Sequence, residues 1–231
     1  MEKVKKVLDR IFIEGLSAMA QGLFATLIIG TIIQQIGSFI PGQAGTILFV
    51  IGKVAASLTG AGIGVAVAYK FNESPLVVVS AATAGMTGAF ASKLLAGTVL
   101  VDGAMVYSGP GEPLGAFLAA YVGIYFGHLV SGKTKVDILV TPIVSIGTGS
   151  AVGLILGPPI SGFMVWLGSV INWGTEQQPF LMGIIVSVLM GMILTLPISS
   201  AALGIILNLS GLAAGAATIG CCCNMVGFAV A

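Results

Sequence analysis

A proline-interrupted stretch around position 72 holds the sequence's strongest candidate for solute chemistry. Asn72 and Glu73 lie immediately before Ser74 and Pro75, and a proline disfavours helical geometry at the residue that precedes it. We therefore expect the stretch to end an apolar segment and to leave broken backbone with a carboxylate and an amide as acceptors. Unwound backbone beside short membrane segments is a common way of building a polar site in a membrane. The alternative is a cytoplasmic turn in which Glu73 pairs with Lys70.

Two further stretches combine carboxylates with groups that suit a polyhydroxylated solute. Glu112 lies in the Gly/Pro-rich segment 108–113, where its carboxylate oxygens can accept hydrogen bonds from hydroxyl groups. Trp173 and Glu176 lie in segment 172–179, which joins an aromatic ring to amides and a carboxylate. An interfacial loop with Trp173 in the aromatic belt is the alternative for that segment. The predicted substrate-binding residues are Asn72, Glu73, Glu112, Trp173 and Glu176.

Catalytic and metal-binding constellations are missing from the sequence. His128 is the only histidine, and the chain has no GxxxxGK[ST], HExxH or CxxC motif. Cys221, Cys222 and Cys223 are adjacent, and successive helical side chains point about 100° apart, so their thiols do not converge on a metal. We therefore predict no catalytic residue, no metal and no cofactor. His128 is interpreted as a helix-end residue, with a proton-linked role as the alternative.

Charge is scarce throughout the chain. The 231 residues include 9 Lys+Arg and 8 Asp+Glu, so charged residues make up 7%, whereas an ordinary soluble domain has roughly 25%. Hydrophobic residues make up 57%, and the mean hydropathy is +1.11. This composition excludes a soluble enzyme domain, a disordered chain and a nucleic-acid-binding protein, because each needs a charged surface. The expected environment is the lipid bilayer.

The polar stretches separate apolar segments that must position them. A membrane span needs about 20 apolar residues. Segment 138–171 is too long for one straight span and contains Pro158 and Pro159, so we predict a break around Gly157. The predicted fold class is all-α: a polytopic transmembrane helical bundle with broken or re-entrant segments. The apolar segments are 16–36, 45–69, 76–92, 113–130, 138–171, 180–209 and 212–231.

The N-terminal segment 1–14 differs from the rest by its charge. Apolar residues recur there at helical spacing opposite the lysines, which predicts an amphipathic helix, either interfacial or a cytoplasmic extension of the first span. Basic residues recur at Lys70, Lys133 and Lys135, and the positive-inside rule then predicts a cytoplasmic N-terminus. Residues 15–231 form the predicted transmembrane domain, which we expect to be incomplete because its apolar character continues to the last residue.

Glycine is abundant, with 34 in the chain, and many glycines recur at a spacing of four. Small residues at this spacing share a helix face and let backbones approach closely in lipid. We interpret the pattern as tight packing within one bundle or between protomers of a homo-oligomer, expected to be a dimer. The alternative is that some glycines line a solute path.

Four stretches carry a resemblance to a known family: Glu73-Ser74-Pro75, 80–90, the Gly-Pro-Gly-Glu-Pro loop 109–113, and 220–229. They resemble the membrane enzyme IIC of the bacterial phosphotransferase system. The resemblance implies a multi-pass permease of the bacterial cytoplasmic membrane that binds a sugar or sugar-like small solute. It also implies separate IIB and IIA partner proteins that carry the phosphoryl group. In the glucose-type branch a Gly-Ile-Thr-Glu-Pro loop provides a sugar-binding glutamate; Glu112-Pro113 matches the ending of that loop alone, and the resemblance on this basis implies a sugar-binding role for Glu112.

Two other functions stay open at the level of the sequence. The chain contains no soluble IIA or IIB domain, so a non-phosphorylating membrane sensor or scaffold is one alternative. A gradient-driven transporter or channel for a small metabolite or ion is the other.

Overall fold

Helices account for nearly all of the regular structure. The computed structural model describes residues 10–101, 104–107, 109–193, 204, 207 and 209–230. Most of the predicted N-terminal amphipathic helix, residues 1–9, lies outside the described residues, and residues 10–14 continue directly into the first helix. The helices are α1 (Arg10–Phe39), α2 (Gln43–Ser57), α3 (Thr59–Lys70), α4 (Pro75–Ala89), α5 (Ala91–Leu95), α6 (Pro113–Val130), α7 (Asp137–Gln177), α8 (Pro179–Ile193) and α9 (Gly211–Val230).

The helices confirm the all-α membrane fold. Within the described residues, α1, α6 and α7 are each long and apolar enough to cross a membrane. Helices α2 and α3 meet that criterion together, with a bend of 54° between them, so the predicted segment 45–69 is a broken one. The bend has a local cause: the Thr59 hydroxyl donates to the Ala56 carbonyl at 2.6 Å, an oxygen that a straight helix would bond to a backbone N–H. A two-residue antiparallel pair, β1 (Leu100–Val101) with β2 (Ala104–Met105), completes the described elements.

Helix α7 contradicts the predicted break around Gly157. It runs from Asp137 to Gln177 as one helix, with three prolines inside it. Each proline removes one backbone donor, but Pro158 and Pro159 are adjacent, so their missing bonds fall at one point of a 41-residue helix. Hydrogen bonds on either side preserve the helix, and prolines are tolerated in membrane helices for this reason.

The chain divides into two compact units: the first ends at Ser161 and the second begins at Gly162. In the second unit, α8 packs against α9 through a small core that includes Val186, Met190 and Ala217. Asn224 of α9 donates through Nδ2 to the Gly191 carbonyl of α8 at 2.6 Å.

The first unit gathers its helix ends at two levels. The Glu112 N–H donates to the Ala89 carbonyl at 2.7 Å, which joins the start of α6 to the end of α4. The hydroxyls of Ser74 and Ser131 lie 2.8 Å apart, which joins the start of α4 to the residue after α6. We call the level of Ser74 and Ser131 the basic end, because α1 begins and α3 ends there with Arg10 and Lys70; the level of Ala89 and Glu112 is the opposite end.

Glycines let the helices of the first unit pack backbone to backbone. A Cβ on Gly60 of α3 would lie 2.8 Å from the Gly85 carbonyl oxygen of α4, and one on Gly123 of α6 would lie 2.7 Å from the Ser145 carbonyl oxygen of α7. Both distances are too short for any side chain, which supports the interpretation of the glycine pattern as tight packing within the bundle. In the second unit, a Cβ on Gly215 would meet no described atom within 4 Å.

Candidate functional site

The turn before α4 holds the predicted residue Glu73 in a buried ion cluster. Its side chain is 4% exposed, and Oε2 accepts a hydrogen bond from His128 Nδ1 at 2.9 Å. The guanidinium of Arg10 lies 3.9 Å from Oε1. Among the described residues these are the ionic partners of Glu73, so the alternative turn with a Glu73–Lys70 pair is wrong. The cluster ties together the start of α1, the α3–α4 connection and the end of α6.

Aromatic rings frame this ion cluster. Arg10 stacks over the Phe71 ring at 4.4 Å from its centroid, and Phe71 meets Tyr121 edge to face at 6.0 Å. The space enclosed between Arg10, Glu73, Tyr121 and His128 is about 80 Å³. A water molecule occupies about 30 Å³ in the liquid, so this cavity has room for water. In this conformation the Glu73 carboxylate is engaged by His128 and Arg10.

A larger cavity, open to the surface, lies between α1 and α3 with a volume of about 650 Å³, and Gln21, Tyr69, Lys70 and Asn72 in its lining are exposed. This volume falls within the roughly 300–1,000 Å³ of small-molecule sites. Small and apolar residues form part of its wall, and we call it the α1–α3 cavity. Its polar lining consists of Gln21, Thr26, Tyr69, Lys70 and Asn72.

Close approach of two glycines builds the wall of the α1–α3 cavity. A Cβ on Gly22 of α1 would lie 2.5 Å from the Gly62 carbonyl oxygen of α3, so only glycine permits this crossing. The Thr26 hydroxyl donates to the Gly22 carbonyl at 2.8 Å, which keeps its acceptor lone pairs available. At the basic end, Asn72 adopts a left-handed conformation with φ of 56°, which ends α3 and brings the amide to the cavity.

The other polar side chains of the α1–α3 cavity are unengaged. In the part of the chain that the structure describes, Gln21, Tyr69, Lys70 and Asn72 make no side-chain hydrogen bond or ion pair. Together they offer amide, phenol and ammonium donors, and the amides and the phenol also accept. The cavity can therefore bind a solute that carries several hydroxyl or anionic groups.

Glu112 lies at the opposite end, away from Asn72 and Glu73. Its carboxylate caps α6 by accepting from the Leu114 N–H at 3.2 Å. Burial raises the pKa of Glu112, and the bond from Leu114 partly offsets this rise. Helix α4 separates the two glutamates; its 15 residues span about 22 Å at the usual rise. One small solute cannot contact Glu73 and Glu112 together in this conformation.

Trp173 and Glu176 belong to the second unit, near the end of α7. The Trp173 side chain is 64% exposed, and Glu176 is also exposed. The neighbouring Asn172 accepts a hydrogen bond through Oδ1 from the Ser210 N–H at 3.1 Å. The structure places Asn72 and Glu73 on adjacent positions of one turn of the first unit, and Glu112 at the opposite end of that unit.

Sequence reasoning did not select four of the residues that line the α1–α3 cavity: Gln21, Thr26, Tyr69 and Lys70. One signal was available, because Gln21 is one of three amides in the apolar segment 16–36, with Gln34 and Gln35, and polar groups inside membrane segments tend to face a partner or a wet cavity. The sequence interpretation of His128, as a helix-end residue or a proton-linked one, did not include its pairing with Glu73. Its bond to Glu73 joins positions 55 apart, which no local pattern reveals.

Metal ligation finds no support in the described residues, where no three His, Cys, Asp or Glu side chains come together. Cys221, Cys222 and Cys223 are free thiols, with Cys221 partly buried and the other two exposed.

The long apolar helices and the polar cavity define a multi-pass helical membrane protein. Residues 13–231 match the family model described as Phosphotransferase system, EIIC. The chain belongs to this family and is a membrane transport subunit of a phosphotransferase system, which confirms the resemblance drawn from the sequence. No curated protein and no solved structure gives a significant match.

Proposed function

We propose that the protein binds a sugar-like small solute in the α1–α3 cavity and moves it across the bacterial cytoplasmic membrane. One observation carries this proposal: a cavity of about 650 Å³ lined by unengaged polar side chains, in a chain of the EIIC family. Hydroxyl groups pair well with amides, because each amide both donates and accepts. Asn72 and Gln21 are the proposed hydroxyl-binding residues, and Glu73 is a positioning residue that holds the turn containing Asn72.

A binding experiment with a matched control tests the cavity. Wild-type protein in lipid nanodiscs is dialysed against a panel of radiolabelled hexoses, hexitols and hexose derivatives. Gln21→Leu removes the amide at similar size, and Gln35→Leu makes the same change on α1 at an exposed position outside the cavity. Loss of one hydrogen bond to the solute weakens binding by about twofold to tenfold, so we expect Gln21→Leu to lose affinity and Gln35→Leu to keep it. If Gln21→Leu and Gln35→Leu bind the solute with equal affinity, or if the wild-type protein binds no member of the panel, the proposal is wrong.

The other predicted site residues remain proposed solute contacts outside this cavity. The same dialysis tests them through Glu112→Gln, Trp173→Phe and Glu176→Gln. Retention of wild-type affinity in all three would remove these residues from the site.

Coupling to phosphorylation needs proteins beyond this chain. We propose that separate IIB and IIA proteins serve it, in keeping with its family. Affinity capture from native membranes, followed by phosphoenolpyruvate-dependent labelling, tests this. A phosphorylated partner supports coupled transport, whereas capture of a regulatory protein alone supports the sensor alternative. Gradient-driven uptake without phosphoenolpyruvate supports the secondary transporter.

Orientation and oligomeric state complete the proposal. A cytoplasmic basic end is supported by the gathering there of Arg10, Lys70 and Lys133, as the positive-inside rule requires. Thr134→Cys, in a chain whose native cysteines are replaced by serine, should react with an impermeant maleimide in inverted vesicles and not in right-side-out ones. A homodimer is supported by Gly215, whose missing side chain leaves space for another helix; cross-linking in native membranes tests it.

A further inference from the structure

We infer that the α1–α3 cavity selects a hydroxylated solute that carries an anionic group, a carboxylate or a phosphate. This inference rests on the proposed function, because it names the substrate class of the same cavity. Its basis is the balance of charge in the lining: Lys70 contributes an ammonium group, and none of the described lining residues contributes a carboxylate.

Nearby carboxylates do not neutralise Lys70 in the described part of the chain. Glu73 follows Lys70 by three positions, but it lines the separate small cavity and bonds to His128 and Arg10. Glu14 lies on the same side of α1 as Gln21, yet it does not line the cavity. Lys70 has no carboxylate within the 4.0 Å of an ion pair among the described residues. No described carboxylate therefore competes with a ligand for its ammonium group.

Among the described lining groups, the Lys70 ammonium can only donate hydrogen bonds, whereas the amides of Gln21 and Asn72 and the Tyr69 hydroxyl both donate and accept. The ammonium of Lys70 supplies three donors, the amides of Gln21 and Asn72 supply two each, and the Tyr69 hydroxyl supplies one. A neutral sugar hydroxyl uses donors and acceptors equally, whereas a carboxylate or phosphate is filled by donors alone. Hydrogen bonds to an ionised acceptor are about twice as strong as neutral ones. The lining thus suits a solute with hydroxyls at one part and an anionic group at another.

The ammonium group of Lys70 and the amide of Asn72 lie at the same mouth of the cavity, at the end of α3. Lys70 is the last residue of α3, and the left-handed Asn72 follows it by two positions. Gln21 lies opposite, on α1, close in sequence to the crossing of Gly22 with Gly62. The anionic group is therefore expected beside Lys70 and Asn72, with the hydroxylated part directed towards Gln21.

Matched neutral and acidic sugars test the inference. Glucose, galactose and mannose are compared with glucuronate, galacturonate and mannuronate, and glucose with glucose 6-phosphate, by dialysis against wild-type protein in zwitterionic nanodiscs. We expect at least one acidic member to bind about tenfold to a hundredfold more tightly than its neutral partner. Lys70→Gln should abolish the preference while retaining weak binding, and Lys133→Gln, an exposed lysine of the α6–α7 connection, should leave it intact.

Each outcome separates this inference from the proposed function. Equal or tighter binding of the neutral sugars overturns the anionic preference and leaves the proposed function standing. Absence of binding by every sugar, neutral or acidic, overturns both. If Lys70→Gln lowers thermal stability but leaves the preference unchanged, Lys70 serves only the end of α3 and the inference is wrong. The same dialysis in nanodiscs that contain phosphatidylglycerol tests whether Lys70 binds an anionic lipid headgroup instead. If the preference for acidic sugars is lost in these nanodiscs, Lys70 binds the headgroup and the inference is wrong.

Discussion

The buried ion cluster at the basic end predicts an asymmetry between removing its acid and removing its cations. Glu73 is 4% exposed, whereas Arg10 and His128 are 51% and 67% exposed. Water can solvate the Arg10 guanidinium and the His128 imidazole when the carboxylate is lost. A carboxylate that loses both partners is compensated only by the water that enters the space they leave.

The exposed fractions of these three side chains set the expected changes in the free energy of unfolding. Glu73→Gln removes a hydrogen bond between charged groups but leaves solvated cations, so its expected cost is about 1–2 kcal/mol. Arg10→Ala combined with His128→Ala leaves a buried charge without an ionic partner, which typically costs about 3–5 kcal/mol. Part of that cost is the stacking of Arg10 on Phe71, worth about 1 kcal/mol. Phe71→Leu removes the ring and keeps every charge, so it measures this stacking together with the contact between Phe71 and Tyr121.

Equilibrium unfolding in mixed micelles, followed by tryptophan fluorescence, measures these free energies. The double variant should be less stable than Glu73→Gln by about 2 kcal/mol. Adding Glu73→Gln to the double variant should restore stability, since the buried charge is then gone. Lys133→Ala, exposed at the same end, should change stability by less than about 0.5 kcal/mol. A double variant as stable as Glu73→Gln, or a triple variant no more stable than the double, would refute the reasoning.

Two further predictions concern packing and pH. Gly22→Ala should destabilise the protein by about 1–3 kcal/mol, because its Cβ meets the Gly62 backbone. Gly147→Ala should stabilise it by up to about 1 kcal/mol, because its Cβ meets no described atom within 4 Å. If Gly22→Ala is the more stable of the two variants in thermal unfolding, this prediction is wrong. Glu112 has a raised pKa, so the folded state holds its proton more tightly and stability should fall as pH rises from its ordinary pKa to the raised one. Glu112→Gln should remove that slope in a pH series of unfolding, and an unchanged slope would exclude Glu112 as its cause.

Local signals in the sequence predicted the fold and the turn that carries Asn72. Scarce charge and long apolar segments indicate membrane helices, and Pro75 fixes the start of α4 because its ring cannot continue the preceding helix. The continuity of α7 through Pro158 and Pro159 was not predicted, since proline signals a lost hydrogen bond but not whether the helix on either side survives it. That balance depends on packing along 41 residues.

Tertiary placement decided the rest of the site. Gln21 and Lys70 lie on different helices, and they reach one cavity only because Gly22 and Gly62 let those helices cross closely. A spacing pattern along one chain segment cannot encode this pairing. The sequence could identify Gln21 as an amide in an apolar segment, but the crossing determines what it faces.

The two glutamates that precede prolines illustrate how local geometry separates similar motifs. Glu112 directly precedes Pro113 and turns back to cap α6 through the Leu114 N–H. Glu73 is one residue further from Pro75, and the extended Ser74 between them carries its carboxylate across to His128 on α6. Both carboxylates are thus engaged within the protein. In the proposed α1–α3 site, recognition would then rest on Gln21, Asn72 and Lys70, since neither glutamate of these two motifs lines the cavity.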